Sequence, residues 1–155
     1  MEDQIFELIY EQTSRPLWAY VARISGDRSA ADDILQETYL RFLNSPPRNI
    51  DVQESKPYLY RIATNLVYDR FRKLKRRGET EIADEAVEAE SSIGADMEMM
   101  QVFYRLKEQE RMLLWLAYVE GYEHKQIANI LKVNPLSVKV LLFRARRRLA
   151  TLLGV

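Results

Sequence analysis

The side chains best suited to chemistry in this chain are cations set at helical spacing, and the densest set lies between Gly121 and Leu149, GYEHKQIANILKVNPLSVKVLLFRARRRL. A guanidinium or ammonium group exposed on a helix is a phosphate ligand, so the chemistry implied is recognition of a nucleic acid. On a wheel of about 100° per residue, Leu136, Lys139, Val140, Phe143, Arg144 and Arg147 turn to one side. Val138, Leu142, Ala145, Leu149 and Leu152 turn to the other. One face packs and the other is offered. Lys139 and Ser137, near the start, are placed for a groove, whereas Arg144, Arg146, Arg147 and Arg148 are placed for backbone phosphates. The same arginines would also suit an exposed helix end, where they favour the negative end of its dipole.

The elements that must position these groups follow from the flanking residues. A helix over about 123–131 carries Ile127, Ile130 and Leu131 at helical spacing, and Lys132-Val133-Asn134 leaves room only for a tight turn. Asn134 can cap the next helix, and Pro135 falls at its first position, where a missing N–H costs nothing. The result is a helix-turn-helix.

A second basic helix is predicted from Lys56-Pro57 onward. Leu59, Ile62, Ala63 and Leu66 form its expected core side, and Arg61, Thr64, Asn65, Tyr68, Arg72 and Lys75 fall on an opposing stripe. It ends in RFRKLKRR, Arg70 to Arg77, which includes Lys73 and Arg76. Cations interleaved with aromatic and amide groups suit single-stranded or opened nucleic acid, where bases stack and phosphates need neutralising. A membrane surface or a plainly solvated face would also accept such a helix.

Other chemistries find little support. Cysteine is absent, the one histidine is His124, and no glycine-rich phosphate loop or nucleophile beside a base occurs. No enzyme activity, metal, cofactor or small-molecule substrate is expected. The methionines, three of them in Met97-Glu98-Met99-Met100, read as adaptable packing.

At 155 residues with 47% apolar side chains, five glycines and five prolines, the chain reads as all-α. No basic leader or long apolar span occurs, so a soluble cytoplasmic protein is expected. Net charge is zero, which taken alone argues against nucleic acid, but its distribution matters more. Residues 1–77 carry 13 basic and 11 acidic groups, residues 78–96 none and 7, and residues 97–155 10 and 5. The acidic stretch, without aromatics, predicts a flexible linker over 78–96 between two small helical domains, 1–77 and 97–155.

Within the first domain, helices are predicted over about 2–12, from Pro16 to Ser25 after a break at Thr13-Ser14-Arg15-Pro16, and from Ser29 with a capping box to Asp32. The second should bury Trp18, Val21 and Ile24, and the third Ile34, Leu35, Phe42 and Leu43. Asn44 to Ser55 reads as a loop. In the second domain, helices over 97–106 and 108–119 should cover the helix-turn-helix with Phe103, Leu106, Leu113, Leu116 and Ala117.

Three segments in this order resemble the extracytoplasmic-function sigma factors of bacterial RNA polymerase. ISGDRSAADDILQETYLRFL is similar to that family's polymerase-binding segment, SKPYLYRIATNLVYDRFRKLKRR to its minus-ten and promoter-melting segment, and LLWLAYVEGYEHKQIANILKVNPLSVKVLLFRARRRL to its minus-thirty-five reader. The resemblance implies that Asp33, Leu35, Gln36, Glu37 and Phe42 meet core polymerase. It implies that Tyr58, Asn65 and the basic stripe with Arg61, Tyr68, Arg72, Lys73, Lys75 and Arg76 hold the opened minus-ten strand. The loop over 44–55 would receive an unstacked base, and the second helix of the reader would enter double-stranded promoter DNA. An anti-sigma factor is a further implied partner.

The sequence departs from the family pattern where it matters for specificity. Tyr58 stands where tryptophan is usual, Leu136-Ser137 replaces a pair of small residues, Val140-Leu141 replaces a polar-then-basic pair, and Glu123-His124-Lys125-Gln126 replaces the usual Ser-x-Glu-Glu, so the first helix of the reader is expected to be poorly capped. Val140 and Phe143 could then meet thymine methyl groups or lie under an anti-sigma partner. Two other readings compete: a one-site helix-turn-helix regulator with a sensor or dimerisation domain over 1–77, and an anti-sigma or membrane-surface adapter. The stripe over 55–77 and the acidic linker favour the first reading, since a one-site regulator has no need of a second basic, aromatic helix.

Overall fold

The computed structural model describes residues 2–49, 51–78 and 94–155, with side chains from residue 98 in the last segment. Every regular element among them is helical, in two compact units, Met1–Ile82 and Ala83–Val155. The linker expected over 78–96 falls, from Glu79 to Ile93, outside the described residues.

The first unit is three helices, α1 (Asp3–Ser25), α2 (Arg28–Asn44) and α3 (Val52–Arg76), each packed on the other two. The break expected at Thr13–Pro16 does not occur, because the buried stripe of α1 runs straight through it: Ile9, Thr13, Leu17, Tyr20, Val21 and Ile24. Pro16 is exposed on the opposite side, where the carbonyl that its missing N–H leaves free belongs to exposed Gln12. Thr13, read as a break signal, is a core residue: its hydroxyl donates to the Ile9 carbonyl at 2.7 Å and lies 2.6 Å from the Tyr39 hydroxyl. Trp18 is only half-buried.

α1 ends at Gly26, whose φ of 70° makes a left-handed cap that glycine adopts without a Cβ penalty. α2 then begins at Arg28, earlier than Ser29. Its cap is Asp27, whose Oδ1 accepts from the Ala30 N–H at 3.1 Å. α3 likewise starts early, at Val52, with Asp51 accepting from the Glu54 N–H at 2.7 Å. Pro57 is therefore inside the helix, and the expected loop loses residues 52–55 to α3.

The core side of α3 is rotated from the expected one. Leu59 and Ala63 are buried with Tyr60, Thr64, Val67 and Phe71, whereas Ile62 and Leu66 are half-buried. Thr64 can be interior because its hydroxyl is 2.8 Å from that of Tyr20, a mutual pairing that removes the cost of burying both.

The second unit contains α4 (Gly94–Tyr104), α5 (Glu108–Leu114), α6 (His124–Leu131) and α7 (Pro135–Leu153). The helix expected over 108–119 widens into a π turn at Trp115–Val119, which leaves Tyr118 and Val119 about 60% exposed. Leu106, Leu113 and Leu116 are buried with Ile127, Ile130, Leu131, Val138, Leu142 and Ala145. Arg111 is also wholly buried, donates to the Leu106 carbonyl at 2.8 Å and stacks 5.6 Å from the Tyr104 ring centre. Burial lowers its pKa to about 10.

Candidate nucleic-acid interface

The helix-turn-helix is built as its residues dictate. α6 ends with Lys132 in a left-handed conformation, φ 57°, and the chain turns at once into the Asn134 cap, whose Oδ1 accepts from the Leu136 N–H at 2.9 Å. The entry to α6 is better capped than expected: Gln126 Oε1 accepts from the Glu123 N–H at 2.9 Å. A glutamine three residues into a helix can reach back to the cap, a signal available in the sequence.

On α7 the packing face is Val138, Leu142 and Ala145, extended by half-buried Leu149 and Leu152. Ser137, Lys139, Val140, Phe143, Arg144 and Arg147 are all exposed, so the structure brings the six expected reader residues onto one surface. The Arg147 guanidinium lies 5.8 Å from the centre of the Phe143 ring. Arg146 and Arg148, expected to meet phosphates, are turned toward their own unit. Arg146 donates to the Tyr118 hydroxyl at 2.8 Å, and Arg148 Nε is 3.4 Å from Glu110.

The α3 stripe is graded along its length. Tyr58, Arg61, Asn65 and Tyr68 are half-buried, while Arg72, Lys73, Lys75 and Arg76 are exposed. Arg72 forms an ion pair with Asp69, an acid inside the basic stripe that the expected pattern left out. Arg70 leaves the run altogether and pairs with Asp27 at 2.6 Å. The cations at the end of α3 are therefore of unequal availability.

The surface expected to meet polymerase needs one correction. Asp33, Gln36 and Glu37 are exposed on α2, with Glu37 accepting from Arg41 Nε at 2.9 Å, and Leu35 is half-buried. Phe42 is 0% exposed, its ring 6.0 Å from that of Tyr58, and cannot offer itself to a partner. Leu43, expected to pack, is exposed together with Leu40 and Tyr10. A groove of about 760 Å³ between α1 and α2 is lined by Tyr10, Trp18, Leu35, Gln36, Leu40 and Leu43. Trp18 is held in its wall by donating to Asp32 at 2.8 Å. A second groove, about 440 Å³ and apolar, lies within the other unit between Phe103, Trp115, Tyr118, Leu149 and Leu153.

Among the described residues no group of three acidic, histidine or cysteine side chains could hold a metal ion. No helix among them is long and apolar enough to cross a membrane.

Two family models match the chain: Sigma-70 region 2 over residues 9–77 and Sigma-70, region 4 over residues 96–149. The ECF RNA polymerase sigma factor SigM of Bacillus subtilis is 28% identical over 154 residues, 93% of this chain and 92% of that protein. The fold is shared with the sigma factor RpoE solved with the anti-sigma factor NepR from Bartonella quintana, at a TM-score of 0.75 and 20% identity over 97% of both chains. CnrH, solved with the cytosolic domain of CnrY, gives 0.74 at 17% identity over 99% of this chain and 90% of that one.

Proposed function

The chain belongs to the sigma-70 family as an extracytoplasmic-function sigma factor, and we propose a division of its work among three surfaces. As a member of that family it catalyses no reaction itself. It binds RNA polymerase and directs initiation to particular promoters. In the proposed division, the exposed side of α2, with Asp33, Gln36, Glu37, Leu40 and Leu43, docks on core polymerase. The α3 stripe holds the opened minus-ten strand through Tyr58, Arg61, Asn65, Tyr68, Arg72, Lys73, Lys75 and Arg76. α7 enters the duplex minus-thirty-five element with Ser137, Lys139, Val140, Phe143, Arg144 and Arg147.

The observation that carries this reading is that each of the two units has its own cationic helix face, one with half-buried amide and aromatic side chains among the cations and one on a helix-turn-helix. A single-site regulator needs only the second. An opened strand calls for stacking and amide contacts as well as charge, which the residue types on α3 suit, and a duplex groove calls for a helix with a free face, which α7 has. Residues 1–77 and 97–155 are assigned to these two tasks, with 78–96 as their tether.

An anti-sigma factor is the proposed inhibitory partner, supported by the RpoE and CnrH folds having been solved with NepR and CnrY. The two apolar grooves, one in each unit, are the surfaces it would cover. The site of action is the cytoplasm, where core polymerase works.

The test is reconstitution of the full chain with core polymerase on genomic fragments. Co-elution with core enzyme and transcripts starting downstream of a shared two-part element support the reading. Binding of a single duplex site without polymerase, and no transcript with it, would return the chain to the one-site class.

A further inference from the structure

Leu136, Val140 and Phe143 stand on the solvent face of α7 at positions i, i+4 and i+7, with 87%, 49% and 50% of their surface exposed. Together they form an apolar strip about 10 Å long, the height of about three base steps. Lys139 flanks it on one side, Ser137 and Arg144 lie on the other, and Arg147 stacks on the ring of Phe143. Between His124 and Val155 there are seven lysines and arginines and no aspartate or glutamate. A polyanion is the partner whose charge complements such a field.

We infer that this strip selects thymine through its 5-methyl group, which makes the duplex element bound by α7 thymine-dependent within a window of about three or four base pairs. The inference rests on the proposed reading of α7 as a major-groove helix. Leu, Val and Phe carry no side-chain donor or acceptor, so they cannot read a base edge by hydrogen bonding. Pressed on guanine, adenine or cytosine edges, they strip water from polar atoms and return nothing. The thymine methyl is the one apolar group that the major groove presents, so the strip attracts thymine and penalises the alternatives together. Lys139, Arg144 and Arg147 hold the register from the phosphates, and Ser137 remains for a hydrogen bond.

The experiment uses holoenzyme assembled from the full chain and core polymerase. A randomised duplex pool defines the upstream element, and each recovered thymine is then replaced by uracil, which lacks only the methyl group. At two or more thymines in one short window, uracil should weaken binding about fourfold, the worth of one methyl-sized group transferred from water. Phe143→Ser and Val140→Ser should each erase the difference at one of those positions, and Phe143→Leu should retain it, with helicity unchanged in all three. A defined upstream element on which thymine and uracil bind equally would overturn the inference alone and leave the strip to a protein partner. Recovery of no upstream element would overturn the proposed reading of α7 as well.

Discussion

The Asp27 carboxylate joins two helices at once: Oδ1 accepts from the Ala30 N–H at 3.1 Å and caps α2, while Oδ2 accepts from Arg70 of α3 at 2.6 Å. The start of the proposed polymerase helix is thereby tied to the last third of the proposed melting helix. Arg70, first in a run of cations, holds the fold together and is not offered to a phosphate.

Replacing Asp27 by Ala removes both contacts and should destabilise the chain by about 2 to 3 kcal/mol in urea titrations. Asp27→Asn keeps a capping oxygen and should cost about half as much. Equal losses in the two variants would show that the cap and the Arg70 pair are not separable contributions.

Charge reversal of Asp33 and Glu37 to lysine should abolish co-elution with core polymerase at unchanged helicity. Leu40→Ser and Leu43→Ser should weaken that association at a smaller cost in stability than a core change, because both residues are already about half exposed. Phe42→Ala should do the opposite, costing about 3 to 5 kcal/mol of stability through loss of a fully buried ring. A Phe42→Ala protein of native stability would reopen its assignment to the docking surface.

On pre-melted promoter DNA, neutralising exposed Lys73 or Arg76 should weaken binding at every sequence and reduce the salt slope by about one per phosphate contact. Arg72→Gln should have a smaller effect, since Arg72 is already paired with Asp69. Asn65→Ala should cost about 1 to 3 kcal/mol on the preferred minus-ten sequence and little on a scrambled one. The comparison is made by filter binding across a salt series.

Pro16→Ala should stabilise the first unit. An interior proline costs a helix about 3 kcal/mol through its missing N–H and ring clash, and the more flexible unfolded chain takes back about 0.4 to 1 kcal/mol, leaving about 2. Thermal melting that shows no gain would mean that α1 has adapted fully to the proline.

Burial raises the Tyr39 pKa to about 12 from 10.0, opposed by its hydroxyl contact with Thr13. The folded state therefore binds the phenolic proton more tightly than the unfolded chain. Its stabilising effect is complete below pH 10 and is lost as pH rises toward 12. Tyr39→Phe should be less stable at neutral pH, lacking that contact, and should show a shallower decline between pH 10 and 12 in alkaline denaturation.

The all-helical character, the second helix of the reader and its two faces were legible in the residues alone. Asn134-Pro135 specifies a helix start by local chemistry, and the wheel of a long helix with one apolar stripe has a single solution, which α7 adopts. Other features depended on contacts distant in sequence. Thr13 and Pro16 carry the local signature of a break, yet α1 is continuous, because Tyr39, 26 residues away, engages the Thr13 hydroxyl and the core stripe spans the proline. Tyr60 and Thr64 look like surface residues until Tyr20, 44 residues before Thr64, supplies the partner that lets a hydroxyl be buried. Phe42 and Leu43 are adjacent and both apolar, and only the seating of α2 against α3 decided that the ring goes inward and the leucine outward. Local signals determined where helices can start and which stripe is apolar. Tertiary packing decided which polar groups find partners, and so which side of each helix is left at the surface.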